Sequence, residues 1–135
     1  MNKLELSNKQ NKIPVPELNS IVRIVGKPAL DIMPYKNFWG VVVNSGEFSC
    51  DVRVTGATLK SLHPQYVFKC ITLNDCEPET AMKLLDRLDK ILESKNFDYL
   101  IKILLNAIAT GIPELTEWEQ KYLEFTEKVI TDYGV

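Results

Sequence analysis

The side chains with intrinsic reactivity near neutral pH are few: three cysteines, Cys50, Cys70 and Cys76, and a single histidine, His63. The closest cysteine pair, Cys70-x5-Cys76, has neither zinc-ligand nor thioredoxin spacing, and a tetrahedral site would require His63 and all three thiols to converge. Cys76 falls at the start of a helical pattern, where a thiol either has its pKa lowered and responds to redox conditions or stays idle. His63 as a general base would need a nucleophile beside it, yet it precedes Pro64 in a turn and shares no motif with a serine or cysteine. The carboxylate pairs Asp86/Asp89 and Glu114/Glu117 fall at helical spacing on faces that also carry lysines, the pattern of a solvated surface. Gly26, Gly40, Gly46 and Gly56 are scattered through turns and strands and build no phosphate-cradling loop. These residues predict no enzyme, no metal and no cofactor.

The elements that hold them belong to a chain of ordinary composition. At 135 residues, 45% hydrophobic and 25% charged, it is long enough for one domain that buries roughly two thirds of its unfolded surface. The longest nearly apolar run, residues 100–109, is broken by Lys102 and Asn106, whereas a membrane span needs about 20 apolar residues, so no span is expected. Residues 1–12 lack the apolar stretch of a secretory signal and three cysteines cannot all pair in one chain, which predicts a reducing cytoplasm. The net charge of −2 hides an asymmetry: residues 1–75 carry +3 and residues 76–135 carry −5. Either the front half meets something anionic, or the back half something cationic, or the halves attract each other.

The hydrophobic period changes near Asn74. Before it, apolar residues come in short β-branched runs; after it they recur at helical spacing. Residues 1–13 read as a flexible tail leading to Pro14 and Pro16. Five strands are predicted, at residues 21–25, 38–43, 47–54, 58–62 and 66–72, with a proline-bearing loop after the first. Asn44-Ser45-Gly46 supplies left-handed positions for a hairpin, Thr55-Gly56-Ala57 turns again, and His63-Pro64-Gln65 breaks the chain before the last strand. Such a set, over residues 14–73, fits a small closed antiparallel barrel with Ile21 or Val22, Val41, Val43, Val52, Val54, Val67 and Ile71 competing for its interior.

The segments Ser20 to Pro28 (SIVRIVGKP), Trp39 to Val42 (WGVV), Asp51 to Val54 (DVRV) and Leu62 to Val67 (LHPQYV) together resemble SH3-like barrels. They are most similar to the small barrels of photosystem I and of ferredoxin:thioredoxin reductase and to KOW modules. The last segment is also similar to the P-x-x-Y-V end of signalling SH3 domains, which implies that Pro64 and Tyr66 face a peptide. Residues 27–37 hold a single acid, Asp31, where signalling domains have an acidic, tyrosine-rich loop, and Phe38-Trp39 stands in place of their tandem tryptophans. The resemblance implies an SH3-like fold for residues 14–73 and carries no function with it; the favoured expectation is a non-catalytic adaptor or regulatory protein of a bacterial cell, a cyanobacterial one included.

Residues 74–135 read as three helices, making the whole chain α+β. Asn74-Asp75 caps the first, Pro78 sits in its opening turn, and Ala81, Leu84, Leu85, Leu88, Ile91 and Leu92 form its apolar face. The second, residues 97–110, is apolar nearly all round and is expected to be the most buried. The third starts with a capping box, Thr116 and Glu119, and carries Trp118, Tyr122, Phe125, Val129 and Tyr133 as one stripe. That stripe either covers the second helix or forms a homodimer or partner interface. Within the barrel, Tyr35, Trp39, Pro64 and Tyr66 are expected to gather as a binding patch for another protein, alone or in a larger complex. The alternative function is nucleic-acid binding, with Arg23, Lys27, Lys36, Arg53 and Lys60 as anion contacts. A sequence pI near 5.5 makes that the less favoured reading.

Overall fold

Short β-branched runs pair as a sheet because the alternate side chains of each run find cover on opposite sides. A computed structural model describes residues 13–25, 33–70, 76–94 and 98–133. Five strands, β1 (Ile21–Ile24), β2 (Trp39–Ser45), β3 (Cys50–Val54), β4 (Ala57–Leu62) and β5 (Val67–Lys69), make one antiparallel sheet in the order β4-β3-β2-β1-β5. Short 3-10 turns, Met33–Tyr35 and Pro64–Tyr66, come before β2 and β5. Three helices follow: α1 (Pro78–Leu92), α2 (Tyr99–Thr110) and α3 (Glu117–Tyr133). The α+β class, with strands first and helices second, is as the periodicity predicts. Among the described residues no ladder joins β4 to β5, so the structure shows the five-stranded antiparallel sheet without the hydrogen-bonded closure of a barrel. Residues 1–12 of the expected tail, residues 26–32 of the proline loop with Lys27, the Asn74-Asp75 cap and Ile71 lie outside the described residues.

Register sorts the core into two clusters. Val22 opposes Gly40 and Gly40 opposes Val54, Val42 opposes Val52, and Ile24 opposes Val67. These valines and isoleucine, with Cys50, Leu59 and Leu62, form one buried cluster edged by Tyr35, Phe38 and Tyr66. Gly40 is obligatory in this layer, because a Cβ there would collide with the Arg53 carbonyl and the methyls of Val52 and Val54. On the opposite face Val41 and Trp39 join Ala81, Leu84, Leu85, Leu88 and Ile91 of α1, Leu105 and Ile108 of α2, and Leu123 of α3. Val41 therefore belongs with the helices and not with Val52 and Val54, and Val43 is exposed. Period two separates these residues over Trp39–Val42, where Trp39 and Val41 face the helices and Gly40 and Val42 the other cluster, before the register shifts between Val42 and Asn44.

Turn chemistry departs from expectation at one hairpin. β2 runs on through Asn44 and Ser45, and a wider turn closes with the Gly46 N–H donating to the Ser49 carbonyl at 2.9 Å, so β3 begins only at Cys50. The left-handed glycine is Gly56, with φ of 88°, in the tight β3–β4 turn. Its N–H donates to the Asp89 carboxylate at 2.8 Å, tying that turn to α1.

Helix ends are set locally. α1 starts at Pro78 behind Glu77, whose side chain makes no capping bond. Asp98 caps α2 by accepting from the Ile101 N–H at 2.9 Å. The capping box of α3 forms as its spacing predicts: Glu119 N–H donates to Thr116 Oγ1 at 3.2 Å and Thr116 N–H to the Glu119 carboxylate at 2.9 Å. Arg87 makes a bidentate pair with Glu127, at 2.6 and 3.0 Å, joining α1 to α3.

Candidate interaction surface

The expected barrel patch is not assembled. Trp39 is wholly buried between sheet and helices, and its indole N–H donates to the Ile108 carbonyl at 2.8 Å. Pro64 is buried, while Tyr35 and Tyr66 are half-buried against the cluster on the other face of the sheet. The cause is the apolar run Trp39-Gly40-Val41-Val42: a strand apolar on both faces needs cover on both, and the helices supply it over Trp39. Tyr35 and Phe38, in edge-on contact, instead line a cleft of about 360 Å³ with Leu105, Asn106 and Thr55, whose buried hydroxyl lacks a hydrogen-bond partner.

The basic residues among those described, Arg23, Lys36, Arg53 and Lys60, do not converge either. The Arg23 guanidinium stands at the C-terminal end of α2 and donates to the carbonyls of Thr110 (2.9 Å), Gly111 (2.5 Å) and Asn37 (2.7 Å). It thereby satisfies helix-end acceptors and meets the negative pole of the helix dipole. Arg53 on β3 pairs with Asp86 at 2.6 Å and Asp89 at 3.2 Å of α1. Lys60 lies 3.7 Å from Asp51, and Lys36 is exposed in a separate turn. The charge asymmetry of the two halves is thus spent in part inside the molecule, and Asp86 and Asp89 are ion-pair partners of Arg53 as well as solvated carboxylates.

The reactive residues are quiet. His63 Nδ1 accepts from the Gln65 N–H at 3.1 Å and caps the 3-10 turn before β5. Cys50 and Cys70 are buried, the Cys70 sulfur accepting from the Arg23 guanidinium at 3.4 Å, and Cys76 is half-buried. Burial, followed by the neighbouring Glu114 and Glu77 carboxylates, pushes the Cys76 thiol above its ordinary pKa, so the lowered value conceivable for a helix start is not found. Among the described residues no three His, Cys, Asp or Glu side chains cluster at metal-binding range.

The aromatic stripe of α3 behaves differently from everything above. Leu123, fully buried, and Thr126 point inward with half-buried Ile130, whereas Trp118, Tyr122 and Phe125 are 70%, 56% and 65% exposed. Trp118 stacks on Tyr122, and Lys121 lies 5.9 Å over the Trp118 ring. The Tyr133 side chain lies outside those described.

α2 is exposed beside that stripe. Only Leu105, Ile108 and Ala109 are buried, while Tyr99, Leu100 and Ile103 are 75%, 73% and 48% exposed, so the most buried helix is α1 and not α2. Between the two helices runs an apolar groove of about 510 Å³ lined by Leu100, Ile103, Ala107, Tyr122, Phe125 and Val129 among others. Trp118, Tyr122, Phe125 and Val129 were legible as a stripe from their spacing; Tyr99, Leu100 and Ile103 were missed. The signal for them was the all-round apolarity of α2, which fits an outward interface as well as full burial.

No described helix is long and apolar enough to cross a membrane. No family model, curated protein or solved structure matches the chain.

Proposed function

We propose that the protein is a non-catalytic protein-interaction module that docks through the outer face of α2 and α3. One observation carries the reading: six large apolar side chains on two adjacent helices stand roughly half to three quarters exposed, Leu100, Ile103, Tyr122 and Phe125 lining a groove, Trp118 stacked on Tyr122 and Tyr99 next to Leu100 in the chain. Lone exposed apolar residues need no explanation, such as Phe48 in the β2–β3 turn and Phe68 on β5; a contiguous apolar face rimmed by polar groups is the mark of a binding surface. Aromatic anchors beside a groove are what interface hot spots use.

We read the sheet as an SH3-like barrel that serves as the platform for this hairpin of helices. The order β4-β3-β2-β1-β5, the 3-10 turn before β5, and a single cluster drawing side chains from all five strands support that reading. Gly40 supports it too, since a position without a side chain lets neighbouring strands bend sharply toward one another. The internal engagement of Arg23 and Arg53 weighs against nucleic-acid binding. Three cysteines outside any disulfide, two of them buried, suit a reducing cytoplasm.

The test is site-specific photo-cross-linking in cells. With Phe125 replaced by photoreactive p-benzoylphenylalanine, irradiation is expected to yield covalent protein adducts, while the same group at exposed Phe48 yields none. Equal yields at both sites, or no adduct at position 125, overturn the reading.

A further inference from the structure

We infer that the occupant of the α2–α3 face is a second copy of this chain, packed about a two-fold axis so that two helical hairpins form a four-helix bundle. The inference rests on the reading of that face as an interaction surface and adds the identity of the partner.

Area is the first argument. An aromatic side chain presents roughly 150–250 Å². At the exposures of Tyr99, Trp118, Tyr122 and Phe125 the four aromatics alone offer about 500 Å², and Leu100, Ile103, Ala107 and Val129 raise the total to about 700–800 Å². That exceeds the usual largest patch of a monomer and meets the roughly 800 Å² per partner of a standard stable interface.

Shape is the second. The six-residue link 111–116 joins α2 to α3, and the two helices, 12 and 17 residues long, pack beside each other with an apolar groove between them and an aromatic ridge along one wall. A two-fold axis brings ridge to groove and groove to ridge at once, which is the self-complementarity an isologous interface needs. Two helical hairpins with apolar outer faces are the halves of a four-helix bundle.

Charge is the third. The face carries both signs: Asp98 lines the groove at the cap of α2, and α3 bears exposed Glu117, Lys121, Glu124 and Lys128. A mixed rim pairs with a copy of itself, whereas a strongly acidic or strongly basic partner would leave half of these charges opposed.

Sedimentation equilibrium of the purified full chain, from about 1 to 100 µM, tests the inference alongside the cross-link. Twice the 15.4 kDa chain mass is expected for the unaltered protein. Phe125→Glu and Leu100→Glu, one on each helix, should each weaken the dimer at least about 30-fold, the loss typical of removing a hot spot. Both positions are exposed, so both variants should keep the unaltered far-ultraviolet circular dichroism, and at concentrations where all are monomeric the same melting temperature. A monomer at every concentration overturns the second copy, as does an open-ended series of oligomers or a dimer indifferent to both substitutions. Adducts to a different protein from position 125 in that case keep the interaction face and reject only its occupant; a monomer without adducts rejects both.

Discussion

Trp39 and Trp118 are the same residue in opposite circumstances. Trp39 lies in the seam between sheet and helices, wholly buried, its N–H bonded to the Ile108 carbonyl and its neighbour Arg23 saturated by helix-end carbonyls. Trp118 lies on the outer face of α3, 70% exposed, stacked on the exposed Tyr122 ring with Lys121 over it. An aromatic side chain can be given to stability or to recognition, and what separates the two is whether the fold supplies a partner for its polar edge as well as cover for its faces.

The sharpest way to break the contrast is Trp39→Ala, expected to cost about 3–5 kcal/mol of unfolding free energy in urea titration, against a few tenths for Trp118→Ala measured in the monomer. Equal losses would erase the distinction between seam and face. Gly40→Ala should come next, about 2–4 kcal/mol, because neither the Arg53 carbonyl nor two packed valines can retreat from a new methyl. Arg23→Met keeps most of the stem but strands the Thr110 and Gly111 carbonyls, and should cost about 1–3 kcal/mol by the same titration. Thr116→Ala removes one half of a capping box and should cost about 1 kcal/mol. Smallest of all is a kinetic effect without a stability cost: because its pKa is raised, Cys76 should react with a maleimide at pH 7 more slowly than an unstructured cysteine, its rate still climbing above pH 8.5. Labelling as fast as the unstructured control would contradict the raised pKa.

How much of this was legible varied with the physics of each element. Strand and helix order, the α3 capping box and the α3 stripe were readable because period and capping are local properties of the chain. The placement of Trp39 was not, since treating β2 as the wall of a barrel assigned its second face to solvent. Its run of four apolar residues already argued for cover on both sides. The all-round apolarity of α2 misled in the opposite direction: composition counts apolar side chains but does not say whether the cover comes from the same chain. The role of Arg23 at the end of α2 was out of reach, because the helix-end carbonyls it meets lie 87 and 88 residues along the chain.

The seam has a consequence for synthesis. A ribosome releases β1 to β5 before any of α1 to α3, so Ile21, Trp39 and Val41 leave the exit tunnel with nothing to lie against them. Until the last helix is made, the nascent sheet displays an apolar flank and an indole N–H without its acceptor, an invitation to aggregation or to a chaperone. Folding of the strands is therefore tied to the completion of the helices, and the vulnerable interval for this protein lies between the two, while the chain is still being lengthened.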